Sequence, residues 1–237
     1  MRRLLYLLLI SVLMQSCAAT FIPATQSVPL FEEKGEYHFE AGASTNSLYA
    51  NAATALTNYL GVSVGGNVSY GNFSNRYDIF TLKNDSGIVG SSSHKSKGDC
   101  NHVYGEASVG LLNIDKESGG NIFELFGGFG MGASTSADYY SFFLQGNSGT
   151  KEKRFEGGVS MRIGYSLFNY PEEKFGGMSF EPMGFMRIGG EHLKVDFRGG
   201  LNFLISNATT KIDVHHSTVL HFSVGLTYRF GNNRMTE

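Results

Sequence analysis

Leu220, Phe222, Val224, Leu226, Tyr228 and Phe230 alternate without a break with His221, Ser223, Gly225, Thr227 and Arg229. A side-chain period of two places the first set on one face of an extended strand and the second on the other. One face is wholly apolar, and the other carries a full charge. Such a strand lies between two unlike media, and the pair that fits is lipid outside and a polar barrel interior. The same pattern recurs upstream. Val195, Phe197, Leu201, Phe203 and Ile205 oppose Lys194, Asp196, Arg198 and Asn202, and Phe155, Val159, Met161, Ile163, Tyr165 and Leu167 oppose Glu156, Ser160, Arg162 and Ser166.

Ten segments from Gly35 onward read as strands: 35–45, 47–56, 60–72, 102–113, 121–134, 139–149, 154–168, 178–189, 192–205 and 218–230. The links between them alternate in length. Those at 57–59, 115–120, 151–153 and 190–191 are tight and polar, whereas 73–101, 169–177 and 207–217 are longer. Outer-membrane barrels have short periplasmic turns and longer outer loops, so the chain is expected to be an all-β, single, antiparallel, up-and-down transmembrane β-barrel over 35–231, with a short tail at 232–237. Pro182 is expected to disturb its strand, with a bulge there. The 73–101 link, with Ser91-Ser92-Ser93 and several Asn, Asp and Gly, reads as a flexible outer loop, where an extracellular partner would bind. A soluble lipocalin-like barrel would carry the same alternation inside out, with its apolar face around a ligand.

Arg2 and Arg3 precede an apolar run from Leu4 to Met14, too short to span a bilayer as a helix but suited to a secretory leader. The run ends Leu13-Met14-Gln15-Ser16-Cys17, which resembles the bacterial lipobox. That resemblance implies a signal peptide over 1–16 and covalent acyl chains on Cys17, with a lipidated tether over 17–34. The alternative is an ordinary signal-peptidase cut near Ala18 or Ala19. Residues 18–20 carry no acidic cluster, so the anchor is expected to face the periplasm. Pro23 and Pro29 mark 18–34 as extended rather than packed.

The formal net charge is −2, without basic clusters, which argues against a nucleic-acid partner. Cys100 is the other cysteine of the two, so no disulfide framework forms once Cys17 is acylated or removed. With no tryptophan, any interfacial aromatic girdle must come from the 19 Phe and 12 Tyr.

Inward-facing positions bring together charges of both signs. Glu156, Arg162, Glu181, Arg187, Lys194, Asp196, Arg198 and Arg229 form the expected lumen network, with Glu40, Glu106 and Glu124 on the same face. Balanced charge in a small barrel favours pairing across the lumen over an ion-selective ring, so the lumen is expected to be narrow or closed.

No catalytic residues, cofactor or metal site are assigned. His221-Phe222-Ser223 is similar to the His-x-Ser pair of lipid A deacylases, but both residues fall on the interior face, where a His and a Ser follow from the pattern alone. The strand count is shared with omptin proteases, without their carboxylate motifs. Asp213, His215 and His216, and His94 with Asp99, Cys100 and His102, lack a recognisable metal-ligand spacing.

Cys17 followed by Pro23, the run Ser27-Val28-Pro29-Leu30-Phe31-Glu32-Glu33-Lys34-Gly35-Glu36, the 50–58 stretch leading to Gly61-Val62, Phe180-Glu181-Pro182 and the Arg187 region resemble uncharacterised outer-membrane β-barrel lipoproteins of Bacteroidota-type bacteria. The resemblance implies an outer-membrane barrel held also by lipid and brings no functional residues with it. The expected role is structural or surface contact. A small-solute pore and a barrel enzyme acting on envelope lipids are the alternatives.

Overall fold

The computed structural model describes residues 25–44, 47–69, 72–81, 90–99, 102–113, 121–134, 138–169, 174–206 and 216–231. Residues 1–24, with the expected leader and Cys17, and the expected 232–237 tail lie outside the described residues. Among the described residues there are twelve strands: β1 (Tyr37–Ser44), β2 (Ser47–Ala55), β3 (Leu60–Ser69), β4 (Asn72–Thr81), β5 (Gly90–Asp99), β6 (His102–Asn113), β7 (Asn121–Ser134), β8 (Asp138–Lys151), β9 (Phe155–Asn169), β10 (Lys174–Gly189), β11 (Leu193–Ser206) and β12 (His216–Phe230). Ten of them close into one antiparallel up-and-down barrel in the order β1-β12-β11-β10-β9-β8-β7-β6-β3-β2. Closure is made by β1, which pairs with β2 on one side and with β12, from Tyr37↔Phe230 to Ser44↔Ser223, on the other. No backbone edge of this sheet is left for lipid to face.

Two expectations about the wall are corrected. The 73–101 link is not an irregular loop: β4 and β5 pair with each other from Asn72↔Asp99 to Thr81↔Gly90 and form a separate two-stranded sheet, while β3 pairs directly with β6. Nor does Pro182 produce a bulge. Phe180↔Phe203 and Met183↔Gly200 keep one register on either side of it, and Pro182 stays aligned with Met161 on β9. The missing N–H interrupts the ladder to β11 without shifting it.

Alternation sorts the side chains. The outer face carries exposed Val, Leu, Ile, Met, Phe and Tyr around the whole circumference, including Leu144, Val159, Leu201 and Leu226. Tyr37 and Phe230 stack across the β1–β12 seam at 4.9 Å at the end that holds the short turns, and Tyr140, Phe142 and Tyr165 lie toward the loop end. The inner face buries Asn, Ser, Arg, Glu and Lys instead. An apolar exterior around a charged interior is the reverse of a soluble ligand-binding barrel, and it excludes the lipocalin-like alternative.

The largest departure concerns the tether. Residues 25–31, expected as an unpacked linker, are buried inside the barrel: Thr25, Gln26, Ser27, Val28, Leu30 and Phe31 have between 0% and 6% of their surface exposed. The chain then reverses into β1 through Gly35 at φ +81°, a conformation that glycine adopts without strain. Gly35 N donates to Ala55 O at 2.8 Å, which fastens this reversal to the end of β2.

Candidate functional site: the filled lumen

An extended segment inside a barrel has no neighbouring strand to satisfy its peptide groups, so the wall must supply side-chain partners. It does so residue by residue. Asn51 Nδ2 donates to Thr25 O at 3.1 Å, Gln145 Nε2 to Ser27 O at 2.6 Å, and Arg187 Nη2 to Val28 O at 2.7 Å. Arg198 donates to Gln26 O, and Arg229 Nη1 to Leu30 O at 3.3 Å. The Phe31 amide in turn donates to Glu124 Oε1 at 2.8 Å, whose other oxygen accepts from Asn147 Nδ2 at 3.0 Å. The Gln26 side chain spans two strands, donating to the backbone carbonyl of Glu181 at 2.8 Å and accepting from Ser160 Oγ at 2.6 Å.

Three arginines therefore serve two purposes, each joining a wall carboxylate to a carbonyl of the inner segment. Arg187, fully buried, holds Asp196 Oδ2 at 2.9 Å and Glu156 Oε2 at 3.1 Å. Arg198 holds Asp196 Oδ2 at 2.6 Å and also pairs with Glu40. Arg229 reaches Glu156 Oε2 at 2.9 Å and Glu36 Oε1 at 3.2 Å, and Lys194 closes this group on Glu156 Oε1 at 2.7 Å. Across the lumen, Arg162 grips Glu106 through two bonds of 2.8 Å, donates to Gln145 Oε1 at 2.7 Å, and lies 4.0 Å over the Phe143 ring. Bidentate charge-assisted bonds of this kind fix geometry as well as charge. Glu181 is buried on the same face, and its backbone carbonyl accepts from Gln26 Nε2.

Apolar side chains of the segment fill the remaining space. Val28 and Leu30 pack with Ile122, Met183 and Phe185, and Phe31 packs with Ala53, Ala55, Leu112 and Phe126. Gly149 stands beside this packing, where a Cβ would lie 2.8 Å from the Gly157 carbonyl oxygen and 3.1 Å from both Leu30 Cδ1 and Phe185 Cζ. Leu30 itself has φ +52°, an uncommon conformation for a side chain of its size, held by the Arg229 bond and this packing. Below Phe31 a vestibule of about 690 Å³ opens at the turn end, lined by Phe31, Glu33, Lys151, Glu191 and Arg229 among others.

The eight charged residues of the expected network are thus all buried inside the barrel, and seven of them join ion pairs, Glu181 contributing its carbonyl. Asn51, Gln145, Asn147, Ser160 and Glu36 were not singled out by sequence reasoning. Their signal would have been the apolar residues Val28, Leu30 and Phe31 in a supposed solvated linker, since such residues need a buried partner surface. His221 and Ser223 lie on the lumen side of β12. His102 is buried against Tyr139, with Nε2 2.6 Å from the Tyr139 hydroxyl and the rings 5.4 Å apart. Cys100, Asp213 and His215 lie outside the described residues, as do the side chains of His94, Asp99 and His216. Among the described residues no group of three or more His, Cys, Asp or Glu is placed to hold a metal ion.

Fold and interior together define a closed ten-stranded barrel with an apolar exterior and a lumen occupied by its own N-terminal segment. No family model matches the chain. No curated protein matches it either. Among solved structures it is similar to OmpT, an outer membrane protein of Vibrio cholerae, at 12% identity and a TM-score of 0.35, covering 84% of this chain and 62% of that one. It is also similar to the KdgM porin solved in complex with disordered oligogalacturonate, at 10% identity and a TM-score of 0.32, covering 82% of this chain and 99% of that one. The chain spans less than two thirds of the length of OmpT. Assignment of the barrel rests on the strand pairing described above.

Proposed function

We propose that this chain is an outer-membrane β-barrel lipoprotein with a structural or surface-contact role, non-enzymatic and closed to solutes. The observation that supports this most is the occupied lumen: Arg187, Arg198 and Arg229 each tie a wall carboxylate to a backbone carbonyl of residues 26–30. A pore needs a continuous water path, and here the inner segment with its apolar packing stands in that path. The apolar outer face and the turn-and-loop asymmetry support insertion in an outer membrane, with acyl chains on Cys17 as a second attachment. At the loop end the β4–β5 hairpin, which pairs with no barrel strand, is the surface offered to an extracellular partner.

Reconstitution of the purified protein into a planar bilayer tests the closed state, with negligible steady conductance as the expected result. Reproducible ion-selective channels would replace this reading with a transport pore. Attachment is tested separately: radiolabelled palmitate should enter the wild type and not Cys17→Ser.

A further inference from the structure

We infer that the barrel thins the membrane on one side, beside β1 and β2, where the lipid headgroups of the loop-end leaflet descend to the rim at Ser44 and Ser47. This rests on the membrane-barrel reading above, in which the loop-end leaflet is the outer one, and it names the lipid surface that the structural role engages. β1 and β2 have 8 and 9 residues, against 14 to 16 in β8 to β12. At the turn end the strands finish nearly level, with Tyr37 paired to Phe230, Leu193 to Tyr228 and Phe155 to Ile188. The difference in length therefore falls at the loop end. β1 stops at Ser44, opposite Ser223, while β12 continues through seven further residues to His216. Thr45 and Asn46, which join β1 to β2, lie outside the described residues. A link of this length adds at most about one residue of height to each strand.

With a rise of about 3.3 Å per residue and a strand tilt near 40°, each residue adds about 2.5 Å of height. The exposed apolar positions of β9 run from Phe155 to Leu167, about 30 Å, and cover an apolar band of about 25 Å. Those of β1 run only from Tyr37 to Ala43, about 15 Å. Ala43 pairs with Leu48 and Val224 and stands at about the height of Met161 on β9, the middle of the tall wall. Above it this side turns polar. Ser223, Ser44, Ser47 and Ser69 follow one another in register across β12, β1, β2 and β3, with the Ser44 and Ser47 hydroxyls 2.7 Å apart. A flat bilayer would hold this rim inside the hydrocarbon layer.

An apolar span shorter than the hydrocarbon layer is met by thinning of the bilayer at a modest cost per ångström. The wall itself cannot yield. β1 is paired on both sides along its length, and from the lumen Glu40 is held by Arg198 and by Asn51, which also binds the Thr25 carbonyl. Below the rim, Ala41, Ala50 and Ala52 leave a lipid-facing hollow of about 630 Å³ beside Phe39 and Tyr228, with room for acyl chains that lean toward the low wall. The barrier that hydrocarbon opposes to a polar headgroup is then lowest beside β1 and β2. Outer-leaflet lipid comes nearest the barrel mouth on this side.

The chain has no tryptophan, so single substitutions report depth without background. Full-length variants, each checked for heat-modifiable migration, are reconstituted into phosphatidylcholine vesicles brominated either near the glycerol end or near the methyl end of the acyl chains. Ala43→Trp and Leu48→Trp are two independent probes of the low wall, so that one serves if the other does not fold. Both should be quenched more by the shallow bromine, and Met161→Trp more by the deep one and with emission at shorter wavelength. Tyr37→Trp, at the turn-side interface, should also be shallow. Deep profiles shared by Ala43→Trp, Leu48→Trp and Met161→Trp overturn the thinning. A shallow Ala43→Trp with a deep Tyr37→Trp overturns it in favour of a barrel tilted in a flat bilayer. Loss of quenching at Ala43→Trp and Leu48→Trp alone overturns it in favour of a second copy covering this side. Absence of quenching at all four positions refutes the membrane-barrel reading itself, which separates that failure from failure of the thinning.

Discussion

Arg198 brings Asp196, Glu40 and the Gln26 carbonyl to one guanidinium in a space almost without solvent. Removing one member of such a group leaves the others charged and unpaired, at a cost of about 3 to 5 kcal/mol where the site is dry. Arg198→Ala is therefore expected to lower the midpoint of the heat-modifiable transition on denaturing gels markedly. Lys153→Ala is the control. Its ammonium lies 3.5 Å from Glu191 in the open, and exposed pairs contribute between about 0 and 1 kcal/mol, so its midpoint should stay near that of the wild type. An equal fall in the two would show that the lumen charges are hydrated and interchangeable with surface ones. Leu30 tests the apolar half of the interior. It is fully buried with Val28, Ile122, Met183 and Phe185, and Leu30→Ala should destabilise by about 2 to 5 kcal/mol through the cavity it leaves. An unchanged midpoint would mean that the segment is not bound where its carbonyl bonds place it.

At the scale of elements, legibility in the sequence follows the presence of two unlike faces. The stretch expected at 154–168 is β9, Phe155–Asn169, and that expected at 192–205 is β11, Leu193–Ser206, because a slip of one residue would turn Arg162 or Arg198 into lipid. The same parity placed the ion-pairing residues on the inner face. It had nothing to say about β4 and β5, which form a two-stranded sheet separate from the barrel. It was equally silent on residues 25–31, whose partners sit on β2 and on β7 to β12 and so are separated from them by up to 199 positions. Long-range pairing of side chain to backbone leaves no periodic trace. The independence of the hairpin is testable. Because β3 and β6 pair with each other from Leu60↔Leu111 to Ser69↔His102, replacing residues 72–99 with a short Gly-Ser link should leave the heat-modifiable migration intact. Loss of the folded band would show that β4 and β5 contribute to the wall.

For the whole molecule the question is what keeps ten strands closed. Barrels of about eight strands enclose room for side chains alone, and open aqueous channels appear at about sixteen, so ten leaves a narrow core that one extended chain can fill. Here the wall supplies cations that neutralise wall carboxylates while binding the carbonyls of that chain, so neither the network nor the segment is complete without the other. Removing the segment should therefore have two coupled effects. In a variant with residues 18–31 deleted, Arg187, Arg198 and Arg229 lose their carbonyl partners, and the space held by Val28, Leu30 and Phe31 becomes available to water. The expected outcome is a lower thermal midpoint together with small ion-conducting openings in a planar bilayer, where the wild type stays silent. Paired lumen charges of both signs predict that these openings select weakly between anions and cations. A deletion variant that remains both silent and as stable as the wild type would show that the wall closes itself and that the inner segment is a passenger.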